Sequence, residues 1–156
     1  MTLTDFVAVC GLVFGLTGAV LGVLNYLRDR VQLDVTLQWD MDVTPGTPYD
    51  PNKKWGVIRV TNIGRRTTYI SHAALRLPKG HDASHLVIMG SIQGEKLAEG
   101  DPTKVYMVSQ DGLDKYAGVW KKVVAQVSDS TGKVWKSKPL KQKDTPSWAG
   151  RNARAH

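Results

Sequence analysis

Cysteine is almost missing from this chain of 156 residues. The single one, Cys10, lies inside an apolar run where it behaves as a small hydrophobe. Nothing after residue 30 can form a disulfide, which excludes a disulfide-stapled scaffold for that part and agrees with a reducing compartment. Lysine and arginine are absent before Arg28. That removes the basic n-region a secretory signal peptide needs, and Leu-Asn-Tyr-Leu-Arg at the end of the apolar run offers no small-x-small cleavage site. Neither G-x-G-x-x-G nor a P-loop pattern occurs, so the two common phosphate-cradling loops are excluded.

What is present begins with Phe6–Leu27, an apolar run of 22 residues broken only by Thr17 and Asn25. About 20 apolar residues suffice to cross a bilayer as a helix. The run is also too long for a signal-peptide core. A buried helix of a soluble domain would need a matching apolar surface, and the downstream strands have barely enough apolar residues for their own core. Residues 1–30 therefore read as a transmembrane anchor with a basic flank. Arg28 and Arg30 follow the run and no basic residue precedes it, so the positive-inside rule predicts the N-terminus outside and the remainder in the cytoplasm, at the inner membrane. Gly11, Gly15, Gly18 and Gly22 fall on one stripe of this helix, with Asn25 extending it. Small residues so spaced let a second helix approach closely, so the stripe is the expected helix–helix interface.

The formal net charge is +7, and its distribution matters. Residues 136–156 hold six basic side chains against Asp144 alone, whereas residues 28–135 are close to balance. Residues 143–156 are expected to be a basic, disordered tail. Arg28, Arg30, Arg65, Arg66, Lys141 and Lys143 are the candidate contacts to lipid or to an acidic partner.

Residues 31–142 carry strand patterning. Val31, Leu33, Val35, Leu37 and Trp39 alternate with polar residues, the signature of a half-buried strand. Further strands are expected at 55–61, 67–77 (Tyr69, Ala73, Leu75 and Leu77 on one face), 86–92, 96–98, 104–109, 120–128 and 133–140, with one helical turn within 112–118. Seven or eight short strands at this spacing predict a mainly β fold, an antiparallel β-sandwich. The segments VIRVTNIGRRTTYI, LAEGDPTKVYMV and VVAQVSDSTGKVWKS resemble the strand–turn–strand pieces of immunoglobulin-like domains in small single-span bacterial and prophage-type membrane proteins. The resemblance implies the fold and the anchor-plus-domain layout, with phage–host conflict (superinfection exclusion or defence) as a setting; it carries no site residues and no activity.

No catalytic constellation emerges. His81-Asp82-Ala83-Ser84-His85 has two histidines four apart, but lacks the Glu and the helix of a zinc-protease motif. Ser71 and His72 are strand neighbours and face opposite sides. Trp120 and Trp135, each beside lysines, read as core residues, with base stacking over a basic groove as the alternative. Trp39 and Trp55 also read as core, and Trp148 as a tail residue dipping into the membrane interface. No cofactor or metal is expected. The predicted molecule is a non-enzymatic interaction protein whose partners are membrane lipid and another transmembrane helix, its own copy or a foreign one. Loops 44–54, 62–66 and 78–85 are its expected recognition surface. A membrane-tethered nucleic-acid binder and a structural subunit of a larger assembly are the alternatives.

Overall fold

The computed structural model describes residues 2–80, 83–92 and 94–150. Helix α1 (Leu3–Arg28) has 26 residues. Thr2 and Asp5 form a capping box at its start: the Thr2 hydroxyl accepts from the Asp5 amide and the Asp5 carboxylate from the Thr2 amide. Thr17, polar within the apolar run, donates its hydroxyl to the Val13 carbonyl at 2.8 Å, which satisfies it within the helix.

Among the described residues eight strands follow: β1 (Leu33–Met41), β2 (Trp55–Asn62), β3 (Thr68–Arg76), β4 (His85–Val87), β5 (Glu95–Leu97), β6 (Lys104–Ser109), β7 (Val124–Asp129) and β8 (Val134–Lys136). They form two antiparallel sheets. One has the order β1-β2-β6 and the other β4-β3-β7-β8, with β5 also pairing β3. Both β4 and β5 lie along the same side of β3, one at each end, as a single interrupted edge strand. The insertion between them is stitched down by Ser91, whose buried hydroxyl accepts from the Ala73 amide at 2.7 Å. Leu33, Val35, Leu37, Ile58, Val60 and Val108 from one sheet and Ile70, Ala73, Leu75, Ala125 and Val127 from the other share one core. Period-two alternation in β1 is complete from Leu33 to Trp39, as its sequence predicts.

Several expectations need correction. Tyr69 does not share the face of Ala73, Leu75 and Leu77; it is 48% exposed. A register shift between Ile70 and His72 in the β3–β7 ladder inserts one residue, so Thr68 and Ile70 face inward before the shift and Ala73 and Leu75 after it. The strand expected at 86–92 shortens to β4 and a 3₁₀ turn, Met89–Ser91. The helical turn expected within 112–118 runs later, as a 3₁₀ segment over Asp114–Lys122. It takes in Trp120, which is buried from that segment and not from a strand. Trp55 and Trp135 are only half-buried. The Trp55 indole N–H instead donates to the Asp50 carbonyl at 3.0 Å, tying down the proline-rich loop.

The C-terminal segment departs most from expectation. Residues 142–150 are built into the domain, and Trp148 has no exposed surface. It sits edge-on to Trp39, ring centroids 5.5 Å apart. Space for the Trp39 ring comes from Gly56 on β2, where a Cβ would stand 2.5 Å from Trp39 Cζ3. Asp40 secures the segment: its carboxylate accepts from the Ser147 amide at 2.7 Å and the Ser147 hydroxyl at 2.5 Å. Asp40 does so from a left-handed backbone, φ 59°, which aspartate tolerates better than most residues. Trp148 is therefore a core residue and not an interfacial one. Residues 151–156 lie outside the described residues.

Candidate functional site

α1 has no buried residue along its length. Its mean hydropathy reaches 2.4, and Leu3, Leu12, Phe14 and Leu16 are each about two-thirds exposed or more. Its run Phe6–Leu27 is apolar on every side, and none of the other described residues covers it. The glycine stripe is likewise uncovered: a Cβ at Gly11, Gly15, Gly18 or Gly22 would meet nothing within 4 Å.

The helix ends against the β-domain with only residues 29–32 between them. The β2–β3 turn, residues 62–67, folds back onto this junction. Gln32 offers its carbonyl to the amides of Ile63, at 2.8 Å, and Gly64, at 3.2 Å. Gly64 permits the approach, since a Cβ there would overlap the Arg30 carbonyl oxygen and lie 2.7 Å from the Gln32 nitrogen. Asn62, 6% exposed, shapes the turn from inside. Its amide donates to the carbonyls of Arg66, at 2.8 Å, and Leu97, at 3.1 Å, while its oxygen accepts from the Gly64 amide at 3.0 Å.

Two arginines then reach back along the helix. Arg65 Nη1 donates to Asn25 Oδ1 at 3.1 Å, and Arg66 Nη2 pairs with Asp29 Oδ2 at 3.1 Å. Arg30 stacks its guanidinium 4.9 Å over the Tyr26 ring. Arg28 sits in the last helical turn, where a cation suits the helix dipole. Ile63 is 58% exposed at the tip of the turn and Tyr26 69% exposed on the helix. So Arg28, Arg30, Arg65 and Arg66, distant in sequence, gather around one helix exit with Asp29 as the carboxylate among them. Asn25 belongs to this cluster as the acceptor of Arg65, not to the glycine stripe alone.

Lys141 and Lys143 do not join them. They line a groove of about 650 Å³ between β1 and residues 138–145, with Asp34, Trp39 and Lys138. The six basic candidates thus divide between two places. The loops divide too. Turn 62–66 is taken up by the helix junction, whereas loop 44–54 and the described residues of loop 78–85 lie at the opposite ends of the strands. Lys53–Asp111 and Lys54–Asp42 ion pairs, at 2.7 and 2.5 Å, tether the first of these loops.

Among the described residues no group of three or more His, Cys, Asp or Glu could hold a metal ion. His81 and Asp82 lie outside those residues; Ser84 Oγ and His85 Nδ1 are 3.1 Å apart on an exposed segment. Sequence spacing does not suggest the cross-strand approach of His72 Nε2 to Ser128 Oγ, 3.4 Å apart. The neighbouring carboxylate, Asp129, is committed elsewhere. Its Oδ1 accepts from Thr131 N, Thr131 Oγ1 and Lys133 N, and its Oδ2 from Trp135 Nε1, all within 3.0 Å. Burial pushes the Asp129 carboxyl up, but these hydrogen bonds outweigh it and hold the group below its ordinary 3.8. Tyr106 is pushed up, by burial first and then by Glu95, which accepts its hydroxyl at 3.0 Å. Of the tryptophans considered for base stacking, Trp120 is buried and Trp135 carries Lys133 over its ring at 4.0 Å.

No family model matches this chain, and no curated protein matches it. Among solved structures, the X-ray structure of Northeast Structural Genomics Consortium target SoR45 is similar with a TM-score of 0.33 and 10% sequence identity, covering 73% of this chain and 86% of that one. A likeness so distant carries no function across.

Proposed function

We propose that this chain is a non-enzymatic, membrane-anchored interaction protein. α1 spans the cytoplasmic membrane with its N-terminus outside, and the β-domain stands directly on the cytoplasmic leaflet. The observation carrying this reading is a helix of 26 residues whose run Phe6–Leu27 is apolar on every side, with none of its residues buried. At 1.5 Å per residue its apolar run covers roughly 33 Å, enough for the hydrocarbon core. The strand order supports an immunoglobulin-like reading of the domain. Lettered in the usual way, A, B and E form one sheet, and C, F and G with a C′ edge the other. The uncovered glycine stripe supports a partner helix, a second copy or a foreign one. Loop 44–54 and the described residues of loop 78–85, at the ends of the strands away from the helix, are the surface left for a protein partner, as loops on a fixed scaffold commonly are. Phage–host conflict remains the setting that the sequence resemblance suggests.

Fractionation tests the core of this reading. The full chain is expected in membranes after alkaline carbonate washing and in solution only with detergent. Protease added outside spheroplasts should leave the β-domain intact. Blue-native electrophoresis of the solubilised protein should show a complex that Gly15→Leu with Gly18→Leu disrupts. Recovery of the intact chain from the detergent-free soluble fraction would overturn the anchor, and digestion from outside would reverse the orientation.

A further inference from the structure

We infer that the helix exit is a seat for the phosphate groups of anionic phospholipids, a proposal that rests on α1 spanning the bilayer. A spanning helix leaves the hydrocarbon near Arg28, so the last turn of α1 and whatever packs beside it stand at headgroup depth. The chain places Arg28, Arg30, Arg65 and Arg66 there, with Asp29 as the opposing charge.

The cluster is built and not incidental. Arg65 and Arg66 come from a turn fixed to Gln32 by two backbone hydrogen bonds and shaped internally by buried Asn62. Gly64 lets that turn sit against the chain at Arg30. Each of the two arginines spends one nitrogen on the helix, Arg65 on Asn25 and Arg66 on Asp29, which orients a planar group that has further N–H donors to give. The Arg65 and Arg66 side chains remain largely solvent-facing, and the Arg66 side chain is 65% exposed. An oriented guanidinium fork matches two oxygens of a phosphodiester, a fit lysine does not offer. The same turn exposes the apolar Ile63, and Tyr26, stacked under Arg30, exposes an aromatic of the kind enriched at membrane interfaces. Phosphate beside apolar contact is the chemistry of a phospholipid at the interface. Among the described residues the structure records no tryptophan contact for these arginines, and the one aromatic among them, Tyr26, is already stacked under Arg30.

The test uses the full chain in nanodiscs of phosphatidylcholine mixed with phosphatidylglycerol, followed by native mass spectrometry of the lipids retained in mild detergent. Wild type is expected to retain phosphatidylglycerol several-fold over its share of the bilayer. Arg65→Gln with Arg66→Gln should abolish that enrichment, while Lys141→Gln with Lys143→Gln, in the distant groove, should keep it. Arg28→Gln with Arg30→Gln, outside the turn, should lower enrichment without touching the fold of the β-domain, and serves if the first pair misfolds. Asp29→Asn should raise enrichment by removing the opposing charge. Retention in proportion to bilayer composition, or enrichment unchanged by both arginine pairs, overturns the headgroup seat while leaving the anchor standing. Failure to enter nanodiscs at all overturns both. Displacement of the bound lipid by single-stranded oligonucleotide at equal charge would reassign the arginines to nucleic acid.

Discussion

At the scale of single residues, Asp129 does the work of a hairpin turn's worth of capping. Four donors converge on one buried carboxylate. Hydrogen bonds to a charged acceptor contribute roughly 1.5–3 kcal/mol each, and water re-satisfies part of what is lost on truncation, so Asp129→Ala should cost about 3 kcal/mol in a denaturant titration followed by tryptophan fluorescence. Asp129→Asn keeps one acceptor but can turn an amide N–H toward the Trp135 indole N–H, so it should recover less than half of that. The carboxyl is held below 3.8 in the folded protein, so it stabilises the fold at neutral pH and that contribution is lost as pH falls through the lowered folded value. The gap between wild type and Asp129→Ala is expected to be full above about pH 5 and to close in strong acid. Trp148 illustrates what a sequence hides at this scale. Flanked by Pro146, Gly150 and a basic, non-periodic stretch, it carries no pattern that marks it as core; its partner Trp39 is a long way off in the chain, and the Asp40 latch is visible only in three dimensions. Trp148→Ala should destabilise the domain by about 3–5 kcal/mol, the usual range for emptying a buried tryptophan site. A surface tail residue would show almost no change.

Among the elements, α1 and β1 were the most legible, because each rests on a long unbroken pattern: apolar throughout for one, strict alternation for the other. β3 was less so. Its inserted residue at Ile70–His72 inverts the facing of everything upstream, and a period-two reading carried across it misplaces Tyr69. The 3₁₀ segment Asp114–Lys122 overlaps the helical turn expected within 112–118; what the sequence reading misses is its extension to Trp120, which lies four residues from Tyr116 and three from Ala117, on one face of the segment. The β2–β3 turn was recognisable as a turn from Asn62 and Gly64. That it would be spent on the helix was not, since Arg65–Asn25 spans 40 positions and rests on the close approach at Gly64. Gly64→Ala tests that approach. Overpacking against backbone, which cannot rotate aside, should cost about 1–3 kcal/mol. Its signature should be local: spin labels on the helix end and on β6 should report a broadened distance distribution, with the β-domain's far-ultraviolet spectrum unchanged. A narrow, wild-type distribution would show that the turn does not hold the helix.

For the whole molecule, the layout of apolar helix then β-domain follows from composition, and so does the sign of the charge near the helix exit. The grouping of four arginines does not, because two come from each of two segments that only the fold brings together. Lys141 and Lys143 looked equivalent to them in sequence and stand apart in space, beside the β1 groove.

The four residues between α1 and β1 leave almost no slack, and the turn at Gly64 removes what remains. If α1 spans a bilayer as proposed, shaft and head then move together. A tilt of the helix would be passed on to the β-domain, and the loops farthest from the helix would sweep the widest arc.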